Sequence, residues 1–225
     1  MLAFTDGKTV KPMVSSMDHK RAYDNDEGPN TGGMGTIAPS PYYTADVAKR
    51  CMEEIFLPTV EAMKKEGCPF KGCLYFGLIL TEQGPKVIEY NCRFGDPETQ
   101  VVLPLLKTDL FTIMRAVRDE HLSELDIQWL TGAAACVVLA SGGYPKKYET
   151  GFPIEGLDED GGHPGVIVYH AGTKKQDGKF LTAGGRVLGV TGLGDNLPQA
   201  LEKAYDAVKE ITFEKVHYRT DIGKK

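Results

Sequence analysis

The stretch from Val87 to Glu98 combines a strand pattern with polar groups that suit metal and phosphate chemistry. It reads Val-Ile-Glu-Tyr-Asn-Cys-Arg-Phe-Gly-Asp-Pro-Glu, and residues two apart on a strand point to the same face. Glu89 and Asn91 are therefore expected to project together. A carboxylate beside a carboxamide offers hard oxygen ligands of the kind that Mg²⁺ takes together with substrate phosphates. The opposite, apolar face is expected to hold Ile88, Tyr90 and Cys92.

Arg93 follows this pair, at the point where the strand is expected to end. A guanidinium there can hold a phosphoryl or carboxylate oxygen while charge shifts. Residues 95–97 then predict a turn, and Glu98 begins a helix. Glu89 and Asn91, here called the metal pair, could by themselves simply form a solvated strand face. Arg93 and Asp96, added to the pair, favour a functional site.

A second group of residues surrounds a glycine-rich segment. Residues 28–35 read Gly-Pro-Asn-Thr-Gly-Gly-Met-Gly, and glycine permits positive φ and close approach of the backbone to a ligand. Successive N–H groups in such a loop can form a concave anion-binding nest. The segment matches neither the P-loop nor the dinucleotide fingerprint. Because Lys20 and Arg21 precede it, we favour a ligand contact over the alternative of a flexible connector.

Composition excludes several classes of protein. The 225 residues are 41% hydrophobic and 25% charged, with 26 Lys and Arg against 31 Asp and Glu. The net charge of -5 argues against nucleic acid or an anionic membrane as the main partner. No apolar run is long enough to span a bilayer. The five cysteines are irregularly spaced, which indicates reduced thiols and a cytoplasmic protein.

The predicted elements place the metal pair in a sheet. Leu2–Phe4 and Thr9–Val10 read as a hairpin that needs a further strand as partner. Thr44 is expected to begin a helix that Pro58 kinks. An apolar strand over 74–80 is expected to run antiparallel to 87–90 through a turn at 83–85. This hairpin would give the metal pair a rigid platform.

The character of the chain changes around Trp129. Short strands punctuated by glycine and proline are predicted over 133–140, 166–170, 180–182 and 186–191, followed by a helix over about 197–211. Arg186, directly after two glycines, is a candidate phosphate ligand, although a surface arginine after a turn is the simpler interpretation. We place a domain boundary near residues 125–128, which predicts an α+β chain with domains at 1–126 and 127–225.

Three motifs together resemble a known family. They are Asp18-His19-Lys20-Arg21, the glycine-rich segment 28–35 and Glu89-Tyr90-Asn91-Cys92-Arg93-Phe94-Gly95-Asp96-Pro97-Glu98. These three motifs resemble the phosphoribosylamine–glycine ligase family, also called glycinamide ribonucleotide synthetases. Two further segments, His170-Ala171-Gly172-Thr173 and Gly184-Gly185-Arg186-Val187, resemble the C-terminal domain of that family. The resemblance implies the C-terminal portion of an ATP-grasp domain over 1–126, followed by a small mostly-β domain with a terminal helix.

The resemblance also implies an activity and its participants. ATP would phosphorylate glycine to an acyl phosphate, and 5-phosphoribosylamine would displace phosphate, in de novo purine synthesis. Glu89 and Asn91 would hold Mg²⁺ or Mn²⁺, and Arg93 would be catalytic. The substrate-binding residues would be Asp18, Lys20, Asn30, Thr31, Gly32, Gly33, Gly35, Asp96 and Arg186.

The chain departs from the family at its beginning. Family members start well before Met1, so we expect this chain to be a C-terminal part that lacks the adenine-binding segment. The missing N-terminal part is then an expected partner, and the chain alone is expected to be inactive. A non-catalytic binding or assembly module derived from such a ligase is the alternative.

Overall fold

A computed structural model describes residues 1–224, and the chain folds into two compact units. Their ranges interleave, so that neither unit is one continuous stretch of sequence. Unit 1 comprises Met1–Ser15, Pro39–Gly95 and Leu105–Leu130. Unit 2 comprises Ser16–Ala38, Asp96–Pro104 and Thr131–Lys225. The division of the sequence after residue 126 stays a prediction.

Strands outnumber helices in the described residues. The strands are β1 (Leu2–Thr5), β2 (Val10–Pro12), β3 (Met17–Asp18), β4 (Arg21–Tyr23), β5 (Glu27–Asn30), β6 (Gly35–Ala38), β7 (Gly72–Thr81), β8 (Gly84–Asn91), β9 (Ala133–Ser141), β10 (Ile167–His170), β11 (Thr173–Gln176), β12 (Lys179–Thr182), β13 (Arg186–Gly194) and β14 (Val216–His217). The α-helices are α1 (Ala45–Cys51), α2 (Leu57–Lys65), α3 (Thr99–Val102), α4 (Leu110–Arg118) and α5 (Leu197–Glu210). Within residues 1–224, no helix combines the length and the apolar character that crossing a bilayer requires.

Unit 1 is built on a four-stranded sheet in the order β2-β1-β7-β8. The hairpin predicted at the start of the chain is confirmed, and its expected partner is β7, which pairs antiparallel with β1. The second predicted hairpin is also confirmed, with β8 antiparallel to β7. Its turn lies at 82–83, one position before the predicted one. Glu89 and Asn91 therefore lie on an edge strand of this sheet.

One long helical segment packs on this sheet. Thr44 is the N-cap of α1, as predicted, and its side chain accepts a hydrogen bond from the Val47 N–H. A π-helical turn, Met52–Phe56, joins α1 to α2, and Pro58 lies in the first turn of α2. This π-helical turn ends two residues before Pro58. Proline has no N–H to donate, and in a regular α-helix its ring would clash with the carbonyl group four residues earlier. Phe56 and Phe76, from helix and sheet, are buried with ring centroids 4.4 Å apart.

Unit 2 is mostly β with one long helix, as predicted. Its main sheet has the order β10-β13-β9-β6-β3, and β14 also pairs with β9. Helix α5 begins at the cap Asn196 and buries alanines and Val208 in a core with β9 and β13. Sequence reasoning missed the strands β3 to β6, because they are short and lie in a polar, glycine-rich region. Two of them, β5 and β6, flank the glycine loop and fix its ends.

Candidate functional site

A β-bulge in unit 1 sets the direction of the Glu89 side chain. Gly77 pairs with Glu89 and Leu78 pairs with Val87, so that Ile88 faces no residue of β7. A bulge inserts one extra residue and re-aims the side chains that follow it. Glu89 lies over Gly77, because a Cβ at position 77 would be 2.8 Å from Glu89 Cγ. The carboxylate therefore stands where β7 has no side chain.

The same bulge overturns part of the predicted strand pattern. Val87, Tyr90 and Cys92 line one cavity together with residues of α2, although strict alternation would put Val87 with Glu89. Ile88, predicted on the apolar face, is 67% exposed. The prediction for Ile88 was wrong because the extra residue interrupts the period of two, whereas Tyr90 packs on buried Phe76 as an apolar-face residue should.

Glu89, Asn91 and Arg93 form a linear series of contacts at the end of β8. The Asn91 Nδ2 group donates to Glu89 Oε1 at 3.3 Å. Arg93 Nη2 donates to Asn91 Oδ1 at 3.4 Å, and Arg93 Nη1 donates to the Phe94 carbonyl at 2.9 Å. Glu89 and Arg93 are exposed. The three predicted residues thus lie together, and the side chains of Glu89 and Arg93 are exposed to a ligand.

This oxygen pair fits a hard divalent cation. In residues 1–224 no cluster of three or more His, Cys, Asp or Glu side chains could hold a metal ion, so no all-protein cage is described. One carboxylate and one carboxamide suit an ion that completes its shell with water and substrate phosphate. The space over Gly77 accommodates the carboxylate.

The glycine loop of unit 2 does not form the predicted anion-binding nest. Four successive N–H groups, those of residues 31–34, already donate within the protein. Their acceptors are the Lys20 carbonyl, the Tyr144 hydroxyl, the Thr31 hydroxyl and the His19 carbonyl. A nest needs N–H groups that are free to meet an anion. Ligand contacts of this loop must therefore come from side chains such as exposed Asn30, or from carbonyl groups.

Beneath the loop lies a buried acidic pair. The Asp18 side chain is 6% exposed and pairs with Lys20 at 2.5 Å. Burial, together with the carboxylate of Glu98, which is itself buried, raises the pKa of Asp18 to about 6 against the lowering effect of Lys20. Gly33 covers Asp18, since a Cβ there would be 2.6 Å from Asp18 Oδ1. The buried carboxylate of Asp18 thus forms an ion pair with the exposed side chain of Lys20.

Arg186 and Tyr144 hold the glycine loop from distant parts of the sequence. Arg186 Nη1 donates to the Gly32 carbonyl at 3.1 Å, to the Asp96 carbonyl at 3.0 Å and to Asp96 Oδ1 at 3.2 Å. The Gly32 N–H donates to the Tyr144 hydroxyl at 3.1 Å. Arg186 is therefore not the simple surface arginine of the alternative interpretation, and its Nη1 is committed to the loop and Asp96.

The predicted residues divide between the units. Unit 1 holds Glu89, Asn91 and Arg93, whereas unit 2 holds Asp18, Lys20, Asn30, Thr31, Gly32, Gly33, Gly35, Asp96 and Arg186. Sequence reasoning missed three residues that contact them: Gly77, Tyr144 and, as a partner of Asp18, Glu98. Glu98 had a local signal, an acid within Gly-Asp-Pro-Glu. Gly77 and Tyr144 had none, because strand register and long-range contacts bring them to their partners.

Two family models match the chain. The model described as Phosphoribosylglycinamide synthetase, ATP-grasp (A) domain, matches residues 1–99. The model described as Phosphoribosylglycinamide synthetase, C domain, matches residues 134–225. Both describe the same enzyme, and they match in the order that the motifs predicted. The chain belongs to the phosphoribosylglycinamide synthetase family. The fold class predicted from the sequence, an ATP-grasp portion and a small mostly-β domain, is confirmed.

Curated relatives support the same family. The chain is 50% identical over 223 residues to phosphoribosylamine--glycine ligase of Caldanaerobacter subterraneus subsp. tengcongensis, covering 99% of this chain and 53% of the relative. It is also 50% identical to the trifunctional purine biosynthetic protein adenosine-3 of Gallus gallus, covering 99% of this chain and 22% of that protein. The chain thus spans about half the length of the single-function ligase.

Solved structures agree with the fold. The crystal structure of phosphoribosylamine--glycine ligase from Thermotoga maritima matches with a TM-score of 0.88 and 35% identity, over 99% of this chain and 54% of that one. The biotin carboxylase subunit of pyruvate carboxylase matches with a TM-score of 0.62 and 17% identity, over 96% of this chain and 46% of that one. At that identity the second likeness concerns the fold alone.

Proposed function

We propose that the chain takes part in the ATP-dependent ligation of glycine to 5-phosphoribosylamine, through a glycyl phosphate, in de novo purine synthesis. The observation that carries this proposal is the contact series Glu89–Asn91–Arg93 at the end of β8. It sets two oxygen ligands beside a guanidinium, the groups that phosphoryl transfer to a carboxylate needs. The identity of the substrates is inferred from the family to which the chain belongs.

Glu89 and Asn91 would hold Mg²⁺ or Mn²⁺ through their side-chain oxygens. A bound ion would neutralise negative charge where phosphate oxygens meet the attacking carboxylate. Arg93 would stabilise the transferred phosphoryl group. Its Nη1 bond to the Phe94 carbonyl and its Nη2 bond to Asn91 hold the guanidinium next to the metal pair, which limits the reorganisation that catalysis would require.

In unit 2, the proposed substrate-binding residues have different tasks. Asn30, exposed at the end of β5, and the side chain of Thr31 would contact substrate directly. Asp18, Lys20 and Gly33 would shape the loop from below. Gly32, Gly35 and Asp96 would support its backbone. Arg186 would offer its Nε and Nη2 groups to the phosphate of 5-phosphoribosylamine, because Nη1 is committed to the loop and Asp96.

We propose that adenine recognition belongs to the part of the ligase that this chain does not match. The chain spans 53% of its Caldanaerobacter relative, and we propose that it acts in the cytoplasm together with that part. Catalysis of phosphoryl transfer is mostly positioning and electrostatics. The chain alone is therefore expected to turn over ATP very slowly, even with its metal pair intact.

The test is ADP release with ATP, Mg²⁺, glycine and freshly prepared 5-phosphoribosylamine, with each substrate omitted in turn. The chain is assayed alone and mixed with the part of the Caldanaerobacter ligase that it does not match. We expect release in the mixture that requires both glycine and the amine. The matched control is the same mixture made with Glu89→Gln, which should release no ADP above background.

Three outcomes would overturn the proposal. They are release that needs neither glycine nor the amine, undiminished release with the Glu89→Gln variant, and no release from the mixture when Mn²⁺ binding by the chain is intact. The third outcome, with a stable complex of the two polypeptides seen by sedimentation, would favour the alternative of a non-catalytic assembly module.

A further inference from the structure

A glycine in the middle of strand β7 lies directly opposite the proposed metal-binding carboxylate. Gly77 is buried in the middle of β7 and is the register partner of Glu89 on β8. Residues directly opposite each other in an antiparallel pair place their side chains on the same face. A side chain at position 77 would therefore share the face and the space of the Glu89 side chain.

We propose that Gly77 is a positioning residue that fixes the Glu89 carboxylate in its metal-binding orientation. The inference rests on the proposed metal role of Glu89. The bulge at Ile88 brings Glu89 into register with Gly77, and the absence of a Cβ there lets the Glu89 side chain lie across β7. Bulges commonly re-aim a functional side chain in this way.

A methyl group at position 77 could not be accommodated without moving Glu89. The added Cβ would lie 2.8 Å from Glu89 Cγ, 3.3 Å from its carbonyl oxygen and 3.5 Å from its nitrogen. Cγ is fixed by the first side-chain torsion, so relief of this clash requires rotation about Cα–Cβ. That rotation carries the whole carboxylate to a different place. Because Glu89 is exposed, the rotation should cost little folding stability.

The backbone itself would tolerate alanine at this position. Gly77 is not among the glycines with positive φ, unlike Gly72 and Gly84 in the same hairpin. Replacement of glycine by alanine in a strand interior is usually neutral or favourable for folding. The Gly77→Ala substitution therefore separates the position of the carboxylate from the stability of the sheet.

The experiment is a titration of the chain with Mn²⁺ alone, followed by paramagnetic broadening of the NMR signals of the Asn91 side chain. We expect Gly77→Ala to weaken Mn²⁺ binding about tenfold, the size of effect typical of residues that orient a ligand. The urea unfolding midpoint should stay unchanged. Gly189→Ala is the matched control, since it adds the same methyl to strand β13, at 3.2 Å from its nearest neighbour, Cys136 Sγ.

A double variant separates positioning from general damage to the sheet. On the Glu89→Gln background, Gly77→Ala should have no further effect on Mn²⁺ binding, as expected for two residues that act through one contact. Wild-type affinity in Gly77→Ala would overturn the positioning role while leaving the metal role of Glu89 intact. Absence of binding by the wild type, or full binding by Glu89→Gln, would instead overturn the metal assignment itself.

Discussion

The two groups of proposed site residues are built in opposite ways. In unit 1, Glu89, Asn91 and Arg93 come from one continuous stretch of sequence at the end of β8, and Glu89 and Arg93 are exposed to solvent. In unit 2, the glycine loop depends on residues far away in sequence, such as Arg186, which is 154 positions from Gly32. The first group is a set of proposed ligands at the end of a strand, contributed by neighbouring residues in the sequence. The second is a loop whose backbone is held by its surroundings. Mutations should therefore affect ligand binding in unit 1 and stability in unit 2.

The largest expected effect is on stability, from Gly33→Ala. Gly33 has φ +119, and a Cβ there would lie 2.5 Å from Pro97 Cδ and 2.6 Å from Asp18 Oδ1. Backbone strain and overpacking together should cost about 4 kcal/mol of folding free energy. Urea unfolding monitored by circular dichroism measures this change. Gly77→Ala in unit 1 is expected to leave stability unchanged. If Gly33→Ala also left it unchanged, the proposed difference between the two groups would be wrong.

Glu89→Gln should have the converse effect. The substitution removes a charge from an exposed side chain while keeping its size, so folding stability should change by less than about 0.5 kcal/mol. Mn²⁺ affinity should fall by about 100-fold, equivalent to about 2.7 kcal/mol. The same NMR titration measures the affinity. Asp18→Asn serves as the comparison from unit 2, and a similar loss of Mn²⁺ binding in that variant would contradict the separation.

The buried acid of unit 2 should give stability a distinctive pH dependence. The pKa of Asp18 is raised from 3.8 to about 6 in the folded chain, so the native state binds more protons than the unfolded state between these values. The contribution of Asp18 to stability is therefore present at low pH and is lost as pH rises to about 6. The free energy of unfolding of the wild type, minus that of Asp18→Asn, should fall by about 2 kcal/mol between pH 4 and pH 7. If this difference in the free energy of unfolding did not change between pH 4 and pH 7, the Asp18 carboxylate could not be buried as the structure shows.

The smallest effect is expected from Tyr144→Phe. This change leaves the Gly32 N–H without its acceptor at an exposed position, where water can replace it. The cost should be under about 1 kcal/mol. Hydrogen exchange of the Gly32 amide should accelerate, whereas exchange of Met34, whose amide donates to the His19 carbonyl, should not. Equal acceleration at both amides would mean that Tyr144 holds the whole loop rather than one peptide.

Sequence reasoning succeeded where the information was local. Period-two patterns and turn residues located the two hairpins of unit 1, and the capping residue Thr44 located α1. Helix α5 was also predicted close to its observed bounds, and Glu89, Asn91 and Arg93 lie together as expected. It failed for Ile88, because the β-bulge at this position reverses the faces of the strand. Nothing in the amino-acid composition of the strand indicates such a bulge. It also failed for the anion nest, because glycine content does not reveal which N–H groups are already bonded.

By itself, the sequence determined the family, the hairpin that carries Glu89 and Asn91, and the mostly-β character of the second half, since motifs and periodicity lie within short stretches. Tertiary structure alone decided the rest. Strand register put Gly77 under Glu89, and the interleaving of segments assigned residues 16–38 and 96–104 to unit 2. Packing buried Asp18 beside Glu98 and brought Arg186 to Gly32. These are contacts between distant residues, and they arise from the cooperative packing of the whole chain rather than from any local pattern.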